Sequence, residues 1–160
     1  MDIYKLNNKS LDSVESVNFD SEKEIQSIVE HNSEELFNLT FVKSEVVCEN
    51  FRFDSLCWDE ENNSFVIIEY KNSRSTSVID QGYSYLSMML NNKSDFVLEY
   101  NENMDKNIKR EDVDWTQSRV IFISTSFTEY QKNSVNFKDV PFELWEIQKF
   151  SNGTLGLSQI

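Results

Sequence analysis

Apolar residues recur with a helical period soon after the start of the chain. Ile25, Ile28, Val29 and Leu36 share one face, at the i, i+3, i+4 spacing of a stripe that packs on a core. Ser21 and Glu24 read as a capping box, so a helix is predicted from residue 21 to about residue 37. The pattern then shifts to strand-like runs at 41–48, 51–58 and 64–71, with β-branched Val66, Ile67 and Ile68 central in the third. The acidic stretch 59–63 is a polar turn between the second and third runs, and 72–77 is a polar loop. Residues 76–91 predict a second helix, with Val78, Ile79, Tyr85, Leu86, Met89 and Leu90 as its apolar positions. Beyond it, 96–100 reads as a fourth strand, 101–114 as a charged loop or short helix, and 120–124 as a buried strand. A helix at 129–136 and a strand at 142–148, after Pro141, complete the pattern.

Residues 1–20 show no clear period and are expected to be a polar tail or loosely docked segment. The nuclease-like domain discussed below is expected to span 21–150. Residues 151–160 are expected to be a C-terminal tail that could lead to a further domain. The element order is helix, three strands, helix, strand. Short links make the first strands antiparallel, while a helical crossover implies a parallel return. The expected fold is an α/β domain with a central mixed sheet of αβββαβ order, flanked by helices and extended by C-terminal strands.

At 160 residues, 39% apolar and 13% aromatic, the chain can bury a real core despite its negative mean hydropathy. No apolar run approaches the roughly 18 residues of a membrane span, and no signal peptide is evident. The expected protein is cytoplasmic, with no membrane partner. Cys48 and Cys57 lie in apolar runs without zinc-ligand or disulfide spacing, so they are expected as buried thiols. His31 is the sole histidine, which rules out histidine-pair chemistry. No G-x-S-x-G or P-loop pattern occurs. Charge is the constraint on any polyanionic partner. Lys and Arg total 15 against 28 Asp and Glu, a net charge of −13. Such a chain repels nucleic acid at long range unless local cations or a bound metal hold it.

The candidate chemistry lies in the hairpin of the second and third strands. Its turn is centred between Glu61 and Asn62, which sets Asp54 and Glu69 opposite each other on one face. Lys71, two residues beyond Glu69, points the same way, while Phe53, Ser55, Ile68 and Tyr70 are expected on the other face. Directly opposed carboxylates destabilise a sheet. A hard cation such as Mg²⁺ or Mn²⁺ between them removes that cost and can activate a water for attack on a phosphodiester. Lys71 can orient that water or neutralise developing charge. The plainer reading is a surface ion-pair cluster.

These residues resemble a known superfamily. Phe51-Arg52-Phe53-Asp54 followed by Val66-Ile67-Ile68-Glu69-Tyr70-Lys71 is similar to the D…E-x-K core of the PD-(D/E)XK, or restriction-endonuclease-like, nucleases. Arg52-x-Asp54 is similar to the R-x-D variant of RecB-type nucleases, and Gln81-x-x-x-Tyr85 to their Q-x-x-x-Y element. Glu22-Lys23-Glu24-Ile25, Ser44-Glu45, residues 79–83 and the stretch from Tyr130-Gln131 through residues 142–146 resemble a family of uncharacterised prokaryotic nuclease-like proteins. Phe53 stands where the motif's name has proline.

The resemblance implies a metal-dependent nuclease, with DNA ahead of RNA as substrate and a homodimer as default assembly. Asp54 and Glu69 would bind the metal, Lys71 would serve the attacking water, and Gln81 would support the site. A third acid from the first helix would come from Glu22 or Glu24, and Glu45 is an alternative. Tyr85 and Arg52 are secondary candidates; Tyr85 is expected in the core. Arg74 is a loop cation within reach of a phosphate. The rival reading, motivated by the charge of −13, is a catalytically inactive module that keeps the fold for protein contacts.

Overall fold

The computed structural model describes residues 1–71 and 77–160. The loop 72–76, with Arg74 and the expected helix start at Thr76, lies outside the described residues. Helix α1 (Glu22–His31) starts at Ser21, whose hydroxyl accepts the Glu24 N–H. Glu24 does not return the bond to Ser21; its carboxylate takes the Asp20 N–H instead. The single helix expected to residue 37 breaks at Asn32, and α2 (Ser33–Phe37) follows. The Asn32 side-chain amide donates back to the Ile28 carbonyl, competing with helix continuation as asparagine does.

Strands β4 (Thr40–Cys48), β5 (Phe51–Asp59) and β6 (Ser64–Lys71) follow as antiparallel neighbours. Helices α3 (Val78–Asn91) and α4 (Lys93–Met104) then cross over to β7 (Arg119–Ser124), which pairs parallel with β6. Short helix α5 (Glu129–Ser134) leads to β8 (Phe142–Phe150), parallel to β7. The result is the expected mixed sheet flanked by helices. Its strand order is β3-β8-β7-β6-β5-β4, where β3 is Ser16–Val17.

Three expectations need correction. Residues 96–100 are not a strand: they lie inside α4, and the strand that returns beside β6 is β7. Phe96, Val97 and Tyr100 are buried while Leu98 is exposed. That is a helical i, i+1, i+4 stripe, which a short apolar run cannot distinguish from a strand. Residues 1–20 contain structure: β1 (Ile3–Asn7) and β2 (Ser10–Val14) form their own antiparallel hairpin. The C-terminal residues pair as well, with β9 (Leu155–Gln159) antiparallel to β8.

Two apolar layers sandwich the sheet. Phe53, Leu56, Trp58, Phe65, Ile67 and Phe122 pack under α3 and α4. Cys57, Val66, Ile68, Tyr70 and Ile121 pack with Ile25 and Val29 of α1 on the other face. Both cysteines are free and buried; desolvation pushes the Cys57 thiol up to about 12.

Gly82 lets α3 lie against the start of β8. A Cβ there would come within 2.5 Å of the Phe142 ring. Gly82→Ala is therefore expected to cost about 1–3 kcal/mol. At about 2–4 °C per kcal/mol, a thermal melt should show a clear drop, largely relieved by adding Phe142→Leu.

Candidate functional site

The β5–β6 ladder pairs Asp59 with Ser64 at the turn and continues to Ser55 opposite Ile68. The next pair in that register is Asp54 and Glu69, and there the strands part. Side chains replace the ladder bonds. The Tyr70 N–H donates to Asp54 Oδ2 at 2.9 Å, and the Asp54 N–H donates to Glu69 Oε2 at 3.2 Å. Each acid thus takes an amide from the opposite strand, which holds the two carboxyl groups together at the fork.

Glu69 is only 8% exposed. Desolvation, and then repulsion from Asp54, push its carboxyl up to about 7 against an ordinary 4.5, with Lys71 opposing. Desolvation likewise raises Asp54; the Tyr70 amide, Lys23 and Lys71 oppose this, and the charge of Glu22 adds to it. From α3, the Gln81 side-chain nitrogen lies 3.3 Å from Glu69 Oε1 and 3.0 Å from the Tyr85 hydroxyl. Tyr85 is buried and donates to the Arg52 carbonyl at 3.2 Å, which ties α3 to β5. Asp54, Glu69, Gln81 and Tyr85 are therefore contiguous, and the charge of Lys71 acts on both acids.

Other candidates are placed differently. Glu24 bonds to Lys149 and to the Asp20 amide, so its carboxylate is engaged away from the acid pair. Glu22 is close enough for its charge to act on Asp54. Even so, among the described residues no group of three or more His, Cys, Asp or Glu side chains gathers as a metal cage. Glu45 lies opposite Asp54 in register, between the pairs Ser44–Ser55 and Val46–Phe53. Its carboxylate is bound by Lys23 and Arg52.

Glu45 also explains a wrong expectation about facing. It has φ 57°, a left-handed conformation inside a strand. Ser44 before it reaches Gln26 of α1, whereas Val46 after it joins the layer under α3 and α4. The same skip occurs opposite, in β5. Phe53 joins the α3–α4 layer, while Ser55 bonds to Tyr70 and Glu30 on the α1 face. Phe53 and Ser55 thus do not share a face, because both strands turn over together at the Glu45–Asp54 position. The register is the same on either side of that position, and the register shift in this strand pair lies elsewhere, between Phe41 and Lys43.

Sequence reasoning missed the polar cluster behind the acids. The Gln26 side-chain nitrogen lies 3.1 Å from the Asp54 carbonyl and 3.0 Å from both Ser44 Oγ and Glu30 Oε1. Ser55 donates to Glu30 at 2.7 Å and meets the Tyr70 hydroxyl at 3.0 Å. Gln26 sits beside Ile25 on the buried side of α1. A glutamine next to an apolar stripe was the available signal.

The donor set suits a hard divalent cation. Two carboxyl groups share a desolvated fork, both held above their ordinary titration range chiefly by that desolvation, and Gln81 Oε1 is buried without a hydrogen-bond partner. Mg²⁺ and Mn²⁺ accept oxygen ligands, and Mg²⁺ keeps several waters, so two protein carboxylates are enough to hold it.

With this geometry in hand, comparison with known proteins is informative. No protein-family model matches the chain. It is 44% identical over 160 residues to an uncharacterised protein of Haemophilus influenzae, and spans 53% of that relative's length. Among solved structures it is similar to EndoMS in a complex with dsDNA. There the TM-score is 0.54 at 16% identity, covering 89% of this chain and 49% of that one. The chain has the restriction-endonuclease-like fold. A repair endonuclease from Pyrococcus abyssi is also similar, at TM-score 0.43 and 19% identity over 79% of this chain and 47% of that one. Among the described residues, no helix is long and apolar enough to cross a membrane.

A pH prediction follows from Glu69. Its folded carboxyl holds a proton up to about pH 7, which the unfolded chain releases near its ordinary 4.5. Between those values the folded state binds more protons, so stability falls as pH rises. Metal-free protein is expected to lose about 3 kcal/mol between pH 4 and pH 8 from this group. Denaturant unfolding across that range should show the loss, and Glu69→Gln should flatten it.

Proposed function

We propose that the chain is a divalent-metal-dependent nuclease domain that hydrolyses phosphodiester bonds in DNA. The observation that carries this reading is the acid pair at the β5–β6 fork. Asp54 and Glu69 each accept a main-chain amide across the gap, in a desolvated place where two negative charges have no structural benefit. A bound Mg²⁺ or Mn²⁺ would supply Lewis-acid stabilisation of the attacked phosphate and an acidified water. Asp54 and Glu69 would hold the metal, with Glu22 contributing at longer range through its charge. Lys71, one strand position pair beyond Glu69, orients the nucleophilic water and neutralises phosphate charge. Gln81 holds the Glu69 carboxylate, and Tyr85 anchors Gln81 to the main chain of β5. The likeness to EndoMS, solved in a complex with dsDNA, supports DNA as the substrate class.

Two measurements test the reading. Calorimetric titration with Mn²⁺ should give a binding isotherm for wild type and none for Asp54→Asn. At a hundredfold excess over its dissociation constant the ion should stabilise wild type by about 2.7 kcal/mol. Incubation with duplex and single-stranded DNA should show metal-dependent cleavage, reduced about 10²–10⁴-fold by Lys71→Ala. Protein that neither binds the ion nor cuts DNA or RNA would instead be an inactive module of the same fold.

A further inference from the structure

Acids outnumber cations nearly two to one in this chain, and two of its ion-pair groups follow suit. Arg119 is bound by both Asp59 and Glu143, and Lys132 by both Glu129 and Glu146. At Glu45 the ratio is inverted. One carboxylate holds two cations, Lys23 from α1 and Arg52 from β5. Their side chains are 68% and 65% exposed, against 41% for Lys43, 31% for Lys132 and less for the other paired cations. The two cations share their one acid beside the fork, where Asp54, Glu69 and Glu22 carry the negative charge. Glu45 is opposite Asp54 in register, and Arg52 is two residues before Asp54. The field of Lys23 is felt at Asp54. Arg52 also lines an open groove of about 690 Å³ with Asn50, Phe51, Asp80, Gln81 and Tyr85, and Gln81 links that groove to Glu69.

The backbone of Glu45 adds a second, independent observation. A non-glycine residue at φ 57° within a nine-residue strand costs about 1–3 kcal/mol, and such strain concentrates at functional sites. It aims the carboxylate at the two cations. An exposed ion pair contributes about 0–1 kcal/mol, too little to explain the conformation through stability alone.

We propose that Lys23 and Arg52, gathered on Glu45, are the phosphate-binding clamp of the site, and that they grip the nucleic-acid backbone beside the scissile position. This deepens the nuclease reading and rests on it. The clamp explains how a chain of net charge −13 can hold a polyanion. Long-range repulsion is overcome by two exposed cations placed where the strand must lie. Glu45 orders them in the free protein and yields them to phosphate, which accepts from arginine and lysine as a carboxylate does.

The test is binding of a labelled duplex to the Asp54→Asn chain without added metal across a salt series, so that affinity is read apart from cleavage and from the ion. Lys23→Ala and Arg52→Ala should each weaken binding about tenfold. Each should reduce the slope of log affinity against log salt by about 0.9. Lys109→Ala should change neither; its segment ends at Asp114, which bonds to Asn63 in the turn at the opposite end of β5 and β6. Glu45→Gln should bind as tightly as the parent or more so, since a competing acid is gone. An unchanged salt slope in the Lys23→Ala, Arg52→Ala double variant would overturn the clamp while leaving the nuclease reading intact. A loss of affinity in Glu45→Gln as large as in Arg52→Ala would also overturn it, by showing that the cations act through strand geometry. A wild-type chain that neither binds nor cuts DNA with Mg²⁺ or Mn²⁺ would remove both proposals.

Discussion

Two carboxyl groups, buried Glu69 and half-buried Asp54, meet where β5 and β6 separate, and much of the surrounding structure is arranged around them. Ladder hydrogen bonds cannot continue past Ser55 and Ile68, so the main-chain amides of Asp54 and Tyr70 need other acceptors. The acids themselves provide them. A carboxylate that accepts a backbone N–H is stabilised in its charged form. Here desolvation outweighs that stabilisation, with repulsion from Asp54 adding to it at Glu69 and from Glu22 at Asp54, and both groups sit above their ordinary range. The protein therefore tolerates an electrostatic conflict at one point of an otherwise well-packed sheet. A divalent ion held between the two acids would resolve that conflict directly.

Support for the fork comes from both faces. On the α3 face, Gln81 and Tyr85 link Glu69 to the Arg52 carbonyl. On the α1 face, Gln26 reaches the Asp54 carbonyl while Glu30, Ser55 and Tyr70 close a buried polar cluster. Main-chain and side-chain bonds from β6 and α1 thus restrain Asp54, and α3 restrains Glu69 beside it. Such restraint matters at a metal site, since misplacing a ligand by even 1 Å weakens function sharply. Glu45 extends the same organisation outward by gathering two cations at the mouth.

Periodicity along the chain determined a good deal. Alternation and β-branched residues specify β4 to β6, and the symmetric hairpin about Glu61 and Asn62 alone sets Asp54 against Glu69. The i, i+4 spacing of Gln81 and Tyr85 predicts a contact that is present at 3.0 Å. These are local rules, carried by fixed backbone geometry. The helical crossover likewise implied the parallel return of a strand beside β6, and β7 fills that position.

Tertiary structure decided the rest, because the remaining features depend on partners distant in sequence. Residues 96–100 form part of a helix since Phe96 and Tyr100 must meet the aromatic rings of β5 and β6. The turnover of β4 and β5 at Glu45 and Asp54 depends on a left-handed residue that no alternation rule anticipates. Glu24 was captured by Lys149, 125 positions away, which withdrew it from the site. Strand β9 has an edge to join only once β8 is in place. Spacing in the chain could say which residues face each other across a turn, but only packing could say which charges are left there without a partner.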